Sequence, residues 1–213
     1  MYSLPVHATP VATHCNVPLL KPSLEEAFAR VCPENSLERT ILENPEWRAG
    51  ASLGKPRSGH PEGEIIYHVL EVLANVDLWC LEHGTSSEER SKLRAIAMIH
   101  DTFKHKVDRS LPEEGENHHA TIAMRFGESI SIADSEMLAI IEHHDDAYLI
   151  WRAANQTMEW PQAEEKFLEL AALLENKGAR IDLYRAFYWC DNRTGDKEPT
   201  PFTWFDRQVQ NLK

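Results

Sequence analysis

The stretch Lys92–Lys106, KLRAIAMIHDTFKHK, constrains the fold more than any other part of the chain. Ala95, Ile96 and Ile99 recur at helical spacing, which predicts a helix with one face turned inward. That face runs into two adjacent polar residues, His100 and Asp101. An imidazole and a carboxylate one turn beyond buried aliphatic side chains lose their water, and the loss is costly unless something compensates. A metal ion does so. Further donors stand along the chain: His68 upstream, then His118, His119, His143, His144 and Asp191 downstream. Of eleven histidines, seven fall between His60 and His119, though His7, His14, His60, His83 and His105 are read singly as solvated or hydrogen-bonded side chains.

The rest of the chain reads as helix. Met1–Pro22 holds four prolines without a sustained period, and is expected to run as an irregular arm. Ser23 with Glu26, and Ser86 with Glu89, have the spacing of capping boxes that open helices. A short helix is expected over Leu37–Glu43, and Pro45–Gly63 is predicted to be loop from its Gly and Pro content. From Glu64, the stripe Ile65, Val69, Val72, Leu73 and Val76 predicts a helix stopped by Gly84, with His68 beside the stripe. Val107–Asn117 reads as an acidic loop. Helix resumes near His118, again from Ser135 through His144 to about Ala154, then from Pro161 to Gly178, and over Ile181–Asn192. Thr203–Leu212 is read as a tail that adds a short amphipathic helix or only packs Trp204 and Phe205. No stretch alternates as a strand would, so the expected fold is all-α, a single-domain helical bundle. Its parts are an N-terminal arm with short helices (1–58), a metal-binding helical domain (59–195) and a C-terminal tail (196–213).

The length of 213 residues suits one domain, and no apolar run approaches the ~18 residues of a membrane span. The N-terminus lacks the basic flank and apolar core of a secretory signal, so a cytoplasmic location is expected. A net charge of −12 argues against an extended nucleic-acid partner, which needs a basic face. A small phosphorylated substrate stays compatible, because bound divalent ions reverse the local field. The four cysteines are scattered without a C-x-x-C pair and read as reduced thiols. A homo-oligomer is left open.

Histidine nitrogen combined with carboxylate oxygen suits Mn, Fe, Co, Ni or Zn better than Ca or Mg. The order His68, then His100–Asp101, then a late Asp191 resembles the HD superfamily of metal-dependent phosphohydrolases. The flanks agree: HPEGEIIYHVLEVL (His60–Leu73) is similar to the opening of the HD domain in bacterial tRNA nucleotidyltransferases, and AMIHDTFK resembles the family's segment around its His-Asp pair. The likeness runs from about Gly59 to Asn192.

The resemblance implies a helical bundle around one or two divalent ions, with two favoured. It implies His68, His100, Asp101 and Asp191 as ligands, joined by His119 in preference to His118, and by one of His143 and His144, with His143 taken as the ligand. Asp182 competes with Asp191 but lacks the stripe of Tyr184, Phe187 and Tyr188 leading to it. Asp145 and Asp146 are read as helix-end charges or partners of the ligands. The activity implied is hydrolysis of a phosphate ester of a nucleotide or other small phosphorylated metabolite.

In that reaction Asp101 orients the ions and the nucleophile. Lys104 is a candidate for holding the phosphate, with an exposed helix lysine as the plainer alternative. His118 or His144 is the candidate acid for the leaving oxygen. Lys55 and Arg57 are candidate phosphate contacts from the preceding loop. Two rivals keep the fold: a di-iron oxygenase acting on a small polyol or organophosphonate, and a non-catalytic regulatory module.

Overall fold

The computed structural model describes residues 21–212, so most of the arm expected over Met1–Pro22 lies outside the described residues. Three short helices open the chain: α1 (Leu24–Arg30), α2 (Ser36–Glu43) and α3 (Pro45–Ala51). Ser23 and Glu26 form the expected capping box at the start of α1.

The helix α3 corrects the expectation of loop from Pro45 onward. Asn44 accepts from the backbone of Glu46 and Trp47, and Pro45 sits where its missing N–H costs nothing. Gly50, taken for a breaker, is helical because α3 lies against the turn after His100. A Cβ at Gly50 would overlap the carbonyl oxygen of Thr102.

Two long helices form the centre, α4 (Ile65–His83) and α5 (Ser87–Ile99), packed on each other. Gly84 ends α4 in the left-handed conformation with φ 62°, and Ser86 caps α5. A second correction follows. The helix expected through Lys106 stops at Ile99, with His100 as its C-cap and only a 3-10 turn at Lys104–Lys106. The last carbonyls of α5 are taken by side chains: Trp47 Nε1 donates to Met98 O at 2.6 Å, and Thr102 Oγ1 to the same oxygen at 2.7 Å. The chain therefore turns at His100–Asp101 with the Met98 carbonyl doubly paired.

Beyond the loop come α6 (His119–Ser129), α7 (Ser135–His143), α8 (Asp146–Thr157), α9 (Trp160–Asn176), α10 (Ile181–Asn192) and α11 (Thr200–Asn211). The single helix expected from Ser135 to about Ala154 is in fact two, broken at His144–Asp145. Tyr184 occupies the break: its hydroxyl donates to His143 O at 2.8 Å and accepts from Ala147 N at 3.2 Å.

No strand occurs among the described residues; two isolated bridges, Gly54 with Glu64 and Arg57 with His60, pin the loop ahead of α4. One core runs through the bundle, from Phe28 and Trp47 through Ile66, Ile96, Ile99 and Tyr184 to Phe205 on α11. No helix among the described residues is long and apolar enough to cross a membrane.

Candidate metal centre

Helix ends build the site. His100 closes α5 and His144 closes α7, and each ring folds back on the carbonyl three residues earlier. His100 Nδ1 donates to Ala97 O at 3.0 Å, and His144 Nδ1 to Ile141 O at 2.8 Å. A neutral imidazole with its proton on Nδ1 presents a lone pair at Nε2. His119, in the first turn of α6, is set the same way, its Nδ1 on Glu113 Oε1 at 3.0 Å. Three imidazoles thus offer Nε2 to one buried space.

That space is shared by carboxylates. Asp101 Oδ2 lies 3.8 Å from both His68 Nε2 and His100 Nε2. Its other oxygen, Oδ1, lies 3.3 Å from His144 Nε2 and 3.6 Å from His119 Nε2. Asp191 Oδ1 closes the first half, 3.1 Å from His68 Nε2 and 3.6 Å from His100 Nε2. Asn75 of α4 fixes the end of α10 for this purpose, its Nδ2 donating to Cys190 O at 2.8 Å. Asp101 is the hinge of the cluster, with one oxygen toward each pair of histidines.

Burial by itself would raise the pKa of Asp101, but Lys104, His100 and His144 hold it well below the usual carboxylate range. Asp191 is held down likewise, burial being overruled by Lys197, His100 and His68. Burial lowers His100. His144 feels the same burial, yet Asp145 and Asp101 push it up to about 9. Burial and Lys197 act to lower His68, and Asp191 and Glu62 overcome both and raise it.

Does this donor set fit a metal? Nε2 of His119, His144 and His100 each faces a carboxylate oxygen, and His68 Nε2 meets His100 Nε2 at 3.1 Å. Such atoms repel unless a proton or a cation lies between them. His119 Nε2 is buried with no hydrogen-bond partner among the described residues. Imidazole nitrogens facing carboxylates, each ring oriented through its other nitrogen, are what a transition-metal site requires. The clusters His68–His100–Asp101 and Asp101–His119–His144 each bring their ligand atoms within 4.8 Å of one another.

The doublets resolve by orientation. His144 faces the cluster. His143 turns away, its Nδ1 on Asp146 Oδ2 at 2.8 Å and its Nε2 3.4 Å from Glu142, so the structure does not bring it to the other donors. His118 is the N-cap of α6, where its Nδ1 accepts from Ala120 N at 3.2 Å, yet it offers a ligand atom within 4.8 Å of those of His119 and Asp145. Asp182 lies in the first turn of α10, at the opposite end of the helix from Asp191.

Lys104 does not wave in solvent; its Nζ rests on Asp101 Oδ2 at 2.5 Å. Two cavities reach Asp101 and Lys104. One, of about 300 Å³, is bordered by Lys55, Arg57 and Arg109. The other, of about 500 Å³, extends past Tyr148, Arg152 and Lys197. Neither Lys55 nor Arg57 pairs with a carboxylate among the described residues.

Sequence reasoning missed two contributors, Glu62 and Lys197, and read a third, Asp145, only as a helix-end charge or a partner of the ligands. Glu62 lies 3.4 Å from His68 Nδ1 and binds His60 Nδ1 at 2.9 Å. Its place in the HPEG run was the available signal. Lys197 reaches Asp191 Oδ1 at 2.9 Å from the tail, beyond any sequence pattern. Asp145 follows His144 as Asp101 follows His100, a His–Asp pair present in the sequence whose parallel placement at a helix end the structure adds.

The HD domain family model matches residues 65–176, which include the histidines of both halves and Asp101 but not Asp191. Searches of curated proteins and of solved structures find no match. With the match covering over half its length and buried His/Asp clusters that fit a metal site, the chain belongs to the HD domain family.

Proposed function

We propose that the protein hydrolyses a phosphate ester of a nucleotide or other small phosphorylated metabolite, using two divalent transition-metal ions. The observation that carries this reading is the position of Asp101, whose two carboxylate oxygens face two separate pairs of imidazoles. His68, His100, Asp191 and Asp101 would hold one ion; His119, His144 and Asp101 would hold the other. Bound there, such ions supply a water of lowered pKa and positive charge for the phosphate oxygens.

The chain's own groups supply the rest. Lys104 sits at the floor of both cavities, where its ammonium is placed for a phosphate oxygen while still neutralising Asp101. Arg57, which borders both cavities, and Lys55, which borders one, are free of acidic partners among the described residues and can take a second phosphate oxygen. His144 belongs to the donor set, which leaves His118 as the candidate donor to the leaving oxygen, although burial and His119 lower its pKa. With Nδ1 committed to the backbone of Ala120, His118 offers Nε2–H as a hydrogen bond to the departing oxygen. Glu62 puts a carboxylate 3.4 Å from His68 Nδ1, which favours the charged form of that ring.

The test is a panel of phosphomonoesters and phosphodiesters, including nucleotides, assayed with Mn²⁺, Co²⁺, Ni²⁺, Fe²⁺, Mg²⁺ and Zn²⁺, with Asp101→Ala as the blank. Metal-dependent phosphate release that Asp101→Ala abolishes is the expected result. The same donors would also hold two irons, so oxygen consumption is followed in parallel. Substrate-dependent oxygen uptake without phosphate release would end the hydrolase reading.

A further inference from the structure

A second His–Asp pair stands opposite the first. His144 and Asp145 follow α7 as His100 and Asp101 follow α5, with the histidine at the C-cap and its Nδ1 on the carbonyl three residues back. The rings of His100 and His144 meet edge to face with centroids 5.0 Å apart. Asp145 is the N-cap residue of α8, a place where aspartate ordinarily accepts a backbone N–H of its own helix. Here it makes no such bond. Instead Oδ2 lies 3.2 Å from His119 Nε2, and Oδ1 lies 3.6 Å from His144 Nε2.

His119 Nε2 is the independent sign of a missing partner. The side chain is 5% exposed, Nδ1 is committed to Glu113, and Nε2 has no hydrogen bond among the described residues. It points between two carboxylates, 3.2 Å from Asp145 and 3.6 Å from Asp101. A lone pair facing two anions at those distances calls for a positive charge in their midst. Without Asp145, the second half has two imidazoles and a shared carboxylate; with it, the half has four protein donors, as many as the first.

We propose that Asp145 is a direct ligand of the second ion, alongside His119, His144 and Asp101. The assignment rests on the two-ion reading above and extends it. It makes the second half a site for a borderline transition ion held by two nitrogens and two oxygens. It also explains why the chain forgoes a helix cap.

The experiment strips the full-length protein with chelator, titrates it with Co²⁺ or Mn²⁺, and counts bound ions by elemental analysis. Visible absorption of the Co²⁺ form reports changes in the ligand set. Wild type is expected to bind two ions. Asp145→Ala is expected to keep one tightly and to bind the other at least ~10-fold more weakly, with altered Co²⁺ bands at full loading. Asp145→Asn, which keeps the volume, carries the same expectation if the alanine variant fails to fold. Glu169→Gln, an exposed carboxylate on α9, serves as the control and should bind as wild type does.

Two ions bound by both Asp145 variants, with unchanged affinity and unchanged bands, would overturn the assignment and leave the two-ion hydrolase standing. A wild type that binds no ion would overturn both.

Discussion

The hydroxyl of Tyr184 donates to the carbonyl oxygen of His143 at 2.8 Å and so joins α10 to the point where α7 stops. The Tyr184 hydroxyl oxygen in turn accepts from Ala147 N at 3.2 Å, and the ring is fully buried. One side chain satisfies both sides of the break that frees His144 and Asp145. Tyr184→Phe would leave a buried carbonyl and a buried N–H without this partner, at a cost of about 1–3 kcal/mol. Urea unfolding followed by circular dichroism should show that loss. Titration with Co²⁺ should show weaker binding in the half built by His119 and His144, with the half built by His68 and Asp191 unchanged.

Arg94 and Glu38 form a fully buried ion pair between α5 and α2. The guanidinium reaches Glu38 through Nε at 3.1 Å and Nη2 at 3.0 Å, and Nη2 also donates to Val31 O at 3.2 Å. Glu38 further accepts from Glu34 N and Asn35 Nδ2, both at 2.9 Å. Removing the guanidinium strands the buried Glu38 charge, so Arg94→Met should cost about 3–5 kcal/mol, and Glu38→Met less, because Arg94 Nη1 keeps Glu34 at 3.4 Å. The double variant should cost much less than the sum, because no lone charge then stays buried. Chemical denaturation of the three variants checks this, and strict additivity would contradict it.

Much of the helical frame was legible because its signals are local. The capping boxes at Ser23 and Ser86, the stop at Gly84 and the proline near the start of α9 each depend on a few neighbouring residues. What escaped depends on distant ones. Gly50 is a helix residue because the carbonyl of Thr102 needs its space, and the break at His144–Asp145 is stabilised by Tyr184, some forty residues on. His-Asp spacing pointed to a metal, but it could not say which histidine of each doublet turns inward. That choice is made by the Ile141 carbonyl beneath His144 and by Asp146 beside His143.

Glu136 ties α7 to the start of α10 and gives the fold an acid-labile joint. Its carboxylate accepts from Arg180 Nε at 2.9 Å and from Arg180 N at 3.1 Å, and takes Lys92 Nζ at 2.9 Å. Burial would raise its pKa, but Arg180 and Lys92 outweigh burial and lower it from the ordinary 4.5. A carboxylate whose folded pKa is depressed contributes its stability above the unfolded value and loses it as pH falls through the folded one. Glu136→Gln should therefore melt below wild type at pH 7, and the gap should narrow as pH falls below the ordinary 4.5 toward the lowered folded value. Melting temperatures across pH 3–7, with metal absent throughout, measure it. A gap that stays constant down to pH 3 would show that the charge is not what matters.

Removing metal should loosen the whole molecule, because the donors come from α4, α5, α6, α7 and α10 alike. Ions that bind the folded chain at 100 times their dissociation constant add about 2.7 kcal/mol per site. For a chain of this size each kcal/mol moves the melting temperature by about 2–4 °C. Chelation should therefore lower it by roughly 5–10 °C for each site emptied. Asp101 serves both halves, Oδ2 facing His68 and His100 and Oδ1 facing His119 and His144. In Asp101→Ala, adding Mn²⁺ or Co²⁺ should therefore recover almost none of that difference. His68→Ala should recover the share of one site, since His119 and His144 keep their carboxylate. Calorimetry with and without metal separates the three cases, and an Asp101→Ala protein stabilised by metal as strongly as wild type would mean that the two halves do not share this residue.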